Sequence, residues 1–233
     1  MDVRHRLFVY LTATFVASLL VADIIGGKFF AVGPITLSVG MIPFPVTFVL
    51  TDLINEYWGK EGARRVTWVG LAMASLAFVV ILLARLLPVS PRSPLPQPVF
   101  DQVFGVSNRL YVASLTAYVI GQLSDIWFFH LLKRLTKGKA LWLRATGSTV
   151  ISQAIDTLVV NFVLLWGTTL ADGSHASVAY ILQIAATGYA VKFVIALGLT
   201  PLIYAGHGVM HRRFGLVPLP PDERGHLMTP GAA

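Results

Sequence analysis

The sequence predicts an all-α membrane protein, a bundle of six transmembrane helices with both termini cytoplasmic, and three observations carry that reading. Of 233 residues, 55% are hydrophobic and only 12% charged, far more apolar than a soluble domain of this size. Long apolar runs recur along the chain, each near the roughly 20 residues that a helix rising about 1.5 Å per residue needs to cross a bilayer. The basic residues gather in short clusters between alternate runs, as the positive-inside rule requires of membrane loops.

The first run, Leu7 to Ile25, is too long for the apolar core of a cleavable signal, and no small-residue cleavage site follows it. Lys28 to Gly40 carries Gly33, Pro34 and Gly40, and Ile35, Leu37 and Val39 alternate with small or polar residues. That pattern reads as a short hairpin or re-entrant segment. Met41 to Tyr57 is a compact span with Pro43 and Pro45 at its start, where a helix tolerates proline. Val66 to Leu87 is the third span. Five prolines between Pro88 and Asn108 predict an extended exposed loop. Leu110 to Leu132, Ala145 to Leu170 and Val178 to Ala205 complete the six. Residues 1–216 therefore form one transmembrane domain, and Val217 to Ala233, polar and rich in Pro and Gly, reads as a disordered cytoplasmic tail.

Charge sets the orientation. Arg4 and Arg6 precede the first span; Lys60, Arg64 and Arg65 follow the second; Lys133, Arg134, Lys137, Lys139 and Arg144 join the fourth and fifth; Arg212, Arg213 and Arg224 follow the sixth. These thirteen share one side, against Lys28, Arg85, Arg92 and Arg109 on the other. The net charge of +7 is thus a topology signal, with lipid as the surrounding partner and no nucleic acid implied. The absence of cysteine excludes a disulfide framework, a thiolate metal site and a cysteine nucleophile.

Ionisable groups inside a span are costly and usually face the bundle interior, pair with one another or line a solute path. This chain places Asp23 in the first span, Asp52 and Glu56 in the second, Gln122 and Asp125 in the fourth, Gln153 and Asp156 in the fifth and Lys192 in the sixth. Residues three or four apart share a helix face, so Asp52 with Glu56, Gln122 with Asp125, and Gln153 with Asp156 each make one polar patch, which Ser148 and Ser152 extend. Four helices can therefore aim polar faces at one cavity. The competing reading for any one of these residues is structural: an intramembrane ion pair for Lys192, or saturation of Asp52 or Glu56 by Lys60 and Arg64. Asp23 is assigned mainly to structure. Ala113, Ala117 and Gly121, at four-residue steps, suit close helix packing. His207 and His211 flank the basic end of the last span and read as solvated interfacial groups, with no metal site implied.

Enzyme signatures are missing: there is no His-Glu-x-x-His, no P-loop and no Gly-x-Ser-x-Gly elbow. Gly59 to Arg65 superficially resembles the metal-binding motif of phosphatidyl-transferases, but Gly62 is followed directly by Ala63 and Arg64 and no aspartate follows in the next span. A membrane enzyme acting on lipid or isoprenoid is the disfavoured class.

The segment from Phe44 to Arg65, FPVTFVLTDLINEYWGKEGARR, closely resembles the signature of the queuosine precursor transporters, also called the vitamin uptake transporter family. Ala117 to Asp125 (AYVIGQLSD), Ser148 to Thr157 and Tyr189 to Lys192 resemble it in the same order. The resemblance implies import of a 7-deazaguanine, 7-cyano-7-deazaguanine or its aminomethyl analogue, for tRNA modification, across the bacterial inner membrane and without a cofactor. A guanine-like edge presents adjacent N–H donors that a carboxylate can accept, and a carbonyl that an amide or ammonium can satisfy. Asp52, Asp125 and Asp156 are then candidate acceptors, with Glu56 and Ser148 beside them. Gln122, Gln153 and Lys192 are candidate donors, and Phe48, Tyr118, Trp127 or Tyr189 could stack on the ring. The competing function is a solute-binding membrane subunit of an energy-coupled vitamin importer. A homodimer, the driving ion and the preferred deazaguanine stay open at this level.

Overall fold

A computed structural model describes residues 2–26, 28–32, 35–105, 108–169 and 175–220. Helix α1 spans Val3–Ile25. Strands β1 (Phe29–Val32) and β2 (Ile35–Ser38) follow as an antiparallel hairpin in which Phe29 pairs with Ser38 and Val32 with Ile35. The alternation around Ile35 to Val39 predicts this hairpin, although Gly33 and Pro34 of that reading lie outside the described residues. A 3₁₀ turn over Val39–Met41 is capped by the Ser38 hydroxyl, which accepts from the Gly40 N–H. It leads into α2, Phe44–Leu86.

A straight helix of 43 residues would run about 65 Å, twice the hydrocarbon thickness. It does not run straight, because Gly59 sits at φ 69°, ψ −170°, a conformation essentially closed to residues with a side chain. The two halves return along the same neighbour, α4 (Asn108–Leu135). Thr67 from the second half meets α4 at Tyr118, whose hydroxyl donates to the Thr67 carbonyl at 3.1 Å, and Phe48 from the first half lines a cavity together with Tyr118 and Gln122 of α4. Glu56, just before the break, meets Lys133 near the end of α4, and Phe78 stacks on Tyr111 near its start. The halves are therefore antiparallel, as the separate spans Met41 to Tyr57 and Val66 to Leu87 require.

Helix α3 (Gln97–Phe104) corrects the expected extended loop: the prolines end at Pro98, within its first turn, where a missing N–H costs nothing. The Arg85 guanidinium, on the last turn of α2, holds the Asp101 carboxylate at 2.9 Å, and Gln97 donates to the same group at 3.2 Å. These contacts hold the Asp101 carboxyl below the usual carboxylate range.

Helix α4 packs antiparallel on α5 (Leu141–Leu165). Asp125 meets Ser148 and Ser152, Gly121 meets Asp156, and Arg109 donates to the Val163 and Trp166 carbonyls at the far end. Ala113 and Ala117 are buried, and a Cβ at position 121 would lie 3.2 Å from that of Asp156, so the small-residue steps do allow the close approach. The last expected span, Val178 to Ala205, is two helices: α6 (Val178–Gly198) and α7 (Thr200–Phe214). Pro201 has no N–H to continue the ladder and its ring displaces the preceding turn.

Five stretches among the described residues are long and apolar enough to cross a membrane: Val3–Ile25, Val39–Leu86, Gln97–Leu135, Leu141–Leu165 and Val178–Gly198. Their outer faces carry large exposed apolar side chains such as Leu83, Val112 and Val194. Lipid tails cover such surface as well as protein does, so packing and polar contacts hold the helices together. The main core joins Phe15 of α1, Leu50, Ile54, Tyr57 and Val66 of α2, Ile126 of α4 and Met210 of α7.

One end of the bundle collects the first turn of α1, the Gly59 break, the α4–α5 connection and the end of α7. The Arg4 guanidinium donates to the Tyr57 carbonyl at 2.5 Å, and the Leu219 N–H donates to the Glu56 carbonyl at 3.0 Å. That carbonyl is available because the chain departs from the helix at Gly59, where the N–H four residues on would otherwise reach it. Leu219 is thus tied to α2; residues 221–233 of the expected tail lie outside the described residues. His207 is corrected too: its ring packs on Tyr57 at 5.2 Å, with Nδ1 3.2 Å from the Tyr57 hydroxyl, while His211 is exposed.

Candidate solute-binding cavity

A cavity of about 220 Å³ opens between α1, the first half of α2, α4, α5 and α6. Phe48, Tyr118, Gln122, Gln153, Asp156 and Lys192 line it. Each arrives through helical periodicity: Gln122 is one turn beyond Tyr118, and Gln153 and Asp156 are three apart on α5. The α4–α5 contact at Gly121 brings Asp156 against the wall beside Gln122. From α6, Lys192 reaches Asp156 with Nζ 2.7 Å from Oδ2, both side chains retaining about a sixth of their exposure. The Tyr118 hydroxyl is spent on Thr67, so its ring is what it offers the cavity.

The chemistry of the walls is unequal. The Oε1 atoms of Gln122 and Gln153 are buried without a hydrogen-bond partner among the described residues. Buried acceptors left unmade are costly, so a ligand that fits them supplies N–H or O–H donors. Asp23 adds a further carboxylate, and Thr47, Ser114 and Phe15 complete polar and apolar portions of the wall. The sequence assigns Asp23 mainly to structure; its signal was the same as that of the others, an ionisable group inside a span. A wider vestibule of about 590 Å³ lies between α1, the β hairpin and α6, lined by Ser38, Tyr180, Gln183 and Thr187 among others. It shares Ala22, Asp23 and Lys192 with the cavity, so the Lys192–Asp156 pair and Asp23 stand at the passage between the two.

Six expected residues stand outside these walls. Asp125 sits beneath the cavity, reached through a narrow crevice that Gln122 and Gln153 also line, and its Oδ1 accepts from the Ser148 and Ser152 hydroxyls at 3.0 and 3.1 Å. Ser148 is thereby a support for Asp125. Glu56 is fully buried and accepts both Arg144 nitrogens at 2.9 Å, with Lys133 Nζ at 3.2 Å. The saturation expected from Lys60 and Arg64 comes instead from two residues that the sequence counts among loop charges. Asp52 is 1% exposed and lines none of the cavities described above. The Tyr189 hydroxyl donates to the Val150 carbonyl, tying α6 to α5, and Trp127 is half exposed on the outside of the bundle. Among the described residues no group of His, Asp and Glu is arranged to hold a metal.

Comparison with known proteins places this geometry. The family model described as "Putative vitamin uptake transporter" matches residues 38–206, from the end of the hairpin to α7. The chain belongs to this family. All of the cavity-lining residues named from α2, α4, α5 and α6 fall within the match. A Bacillus subtilis protein named "Probable queuosine precursor transporter" is 29% identical over 192 residues, 82% of this chain and 76% of the relative. The Escherichia coli "Queuosine precursor transporter" is 28% identical over 158 residues, 68% of this chain and 66% of that one. A Haemophilus influenzae protein named "Probable queuosine precursor transporter" is 32% identical over 120 residues, 52% and 48% of the two chains. No solved structure matches the chain.

Proposed function

We propose that the chain imports a queuosine precursor, 7-cyano-7-deazaguanine or 7-aminomethyl-7-deazaguanine, across the bacterial inner membrane. The observation that carries this reading is the excess of acceptor oxygens in a cavity that also offers ring faces and one ammonium. A deazaguanine edge brings N–H donors on adjacent atoms, which suit Gln122, Gln153 and Asp156, and a carbonyl that suits Lys192. Phe48 and Tyr118 supply faces for a planar base. Asp23, at the vestibule, suits the cation of an aminomethyl group.

The architecture we infer is six spans with both ends cytoplasmic, the helical hairpin of α2 supplying two. The meeting of the first turn of α1 with the end of α7 at one end of the bundle supports an even number. The thirteen-to-four distribution of basic residues supports its being the inner end. Tags after Arg92 are then reached from outside and tags after Arg213 only from inside; the reverse labelling refutes the orientation.

The deciding test is rescue of tRNA queuosine by this chain in cells that lack both precursor synthesis and other uptake, supplied with nanomolar precursor. Rescue by the wild type, and its loss in Gln122→Ala and Gln153→Ala at normal membrane abundance, is expected. Each substitution removes a hydrogen bond worth about 0.5–1.5 kcal/mol, and leaves the fold intact because neither Oε1 has a protein partner. Wild-type failure at nanomolar precursor refutes the substrate.

A further inference from the structure

Five charged side chains are buried among the described residues: Asp52, Glu56, Asp125, Lys133 and Arg144. Three are acids and two are bases, and both bases are bonded to Glu56. That set carries one uncompensated negative charge buried away from solvent, where an unpaired ion costs several kcal/mol. Among the described residues neither oxygen of Asp52 has a hydrogen-bond partner, and Asn55, fully buried on the same face of α2, has none for its amide. Asp52 is one turn before Glu56, and Ser148, which holds Asp125, is one turn beyond Arg144, so the Glu56–Arg144 contact brings Asp52 and Asp125 to the same level of the bundle. Lys133 from α4 and His207 from α7 face the same cluster through Glu56. Two neighbouring carboxylates with no cation of their own are stabilised by one shared positive charge.

A second, independent observation concerns the route to this pair. The crevice from the cavity to Asp125 is lined by Gln153, 8% exposed, whose Oε1 also lacks a donor. Asp125 Oδ1 accepts from the Ser148 and Ser152 hydroxyls, while the amide oxygens of Gln122 and Gln153 along the crevice have no donor among the described residues. The crevice holds about 10 Å³, at the lower limit for one water and too little for a hydrated metal ion. A proton needs no such room.

We propose that the Asp52–Asp125 pair binds one proton, exchanged with the cavity past Gln122 and Gln153, and that this proton is the coupling ion of transport. Its carboxylic O–H forms on the outward side and gives the proton to water on the inward side, so each cycle carries one H⁺ with one solute. The inference rests on the transport reading for its coupling role alone; proton binding is a property of the protein without solute.

Two measurements test it. Infrared spectra of the purified protein at neutral pH should show the C=O stretch of a protonated carboxylic acid, lost in Asp52→Asn and kept in Asp156→Asn. No such band in the wild type, or its persistence in Asp52→Asn, overturns the proposal. If Asp52→Asn does not fold, Asp52→Glu, which keeps the carboxyl, must move the band in frequency, and an unmoved band overturns it equally. In vesicles holding the chain and 7-cyano-7-deazaguanine, an inside-alkaline gradient of one pH unit should raise the inside-to-outside solute ratio up to about tenfold. Asp52→Asn should still exchange solute, since it lies outside the cavity wall, without accumulating it. A ratio indifferent to the pH gradient, or raised by a sodium gradient instead, overturns the coupling. Failure of the wild type to exchange any solute counts against the substrate reading, and the infrared result then decides proton binding separately.

Discussion

Replacing Arg144 with methionine removes more than a charge. The guanidinium makes two parallel bonds to Glu56, both at 2.9 Å, and donates to the Gly138 and Lys139 carbonyls at 2.7 and 3.1 Å. It therefore joins the α2 hairpin to the α4–α5 connection while 4% exposed. Methionine fills most of the volume but leaves Glu56 with Lys133 alone and strands two carbonyls. Breaking a buried pair on one side costs about 3–5 kcal/mol, because the remaining charge stays desolvated. Arg144→Lys should recover only part, since an ammonium cannot reproduce the fork. Adding Glu56→Gln to Arg144→Met should destabilise further, because it leaves the buried Lys133 ammonium without its carboxylate. Thermal unfolding in detergent, followed through the tryptophans, reads all three. A loss below about 1 kcal/mol in Arg144→Met, or a double variant more stable than the single, would refute the reasoning by showing that water reaches the cluster.

At the passage, Lys192→Met should lower precursor uptake at least tenfold, and adding Asp156→Asn should restore folded yield but not uptake; recovery of both in the double variant makes the pair scaffolding. Gly59→Ala should cost about 1–3 kcal/mol in thermal unfolding, because its φ of 69° with ψ near 180° suits no L side chain, and an unchanged midpoint would place the reversal elsewhere. The Asp101–Arg85 contact depends on pH with a definite sign. A carboxyl held below its unfolded value stabilises the folded state above that value, and the contribution is lost as pH falls through the lower folded value. Proteolysis of 88–104 in outward-facing vesicles should therefore accelerate only in acid below the ordinary aspartate range, and Arg85→Ala should make it fast at neutral pH.

The spans were legible because a bilayer imposes one length and one polarity on any helix that crosses it. The polar faces were legible through the three- and four-residue steps of Gln122 with Asp125 and Gln153 with Asp156. What periodicity could not reveal was depth and rotation. It gave Glu56 and Gln122 equal standing, although one is sealed by Arg144 and Lys133 and the other faces the cavity. Arg144 was hidden for a related reason: in a basic loop its charge is indistinguishable from a topology signal, and only the fold turns it inward. Asp23 was undervalued because it is isolated in sequence, its companions at the cavity coming from α5 and α6. The break before α7 and the short α3 follow from prolines that composition alone read as a continuous span and an open loop.

The bond from the Leu219 N–H to the Glu56 carbonyl spans most of the chain and ties its end to its first helical hairpin. During synthesis that hairpin enters the membrane long before position 219 exists, so it must wait with an open carbonyl at its turn until Leu219 emerges. Shortening the chain before residue 216 should leave every span in place yet make the hairpin turn susceptible to protease, a quality-control mark for polypeptides whose translation stopped early.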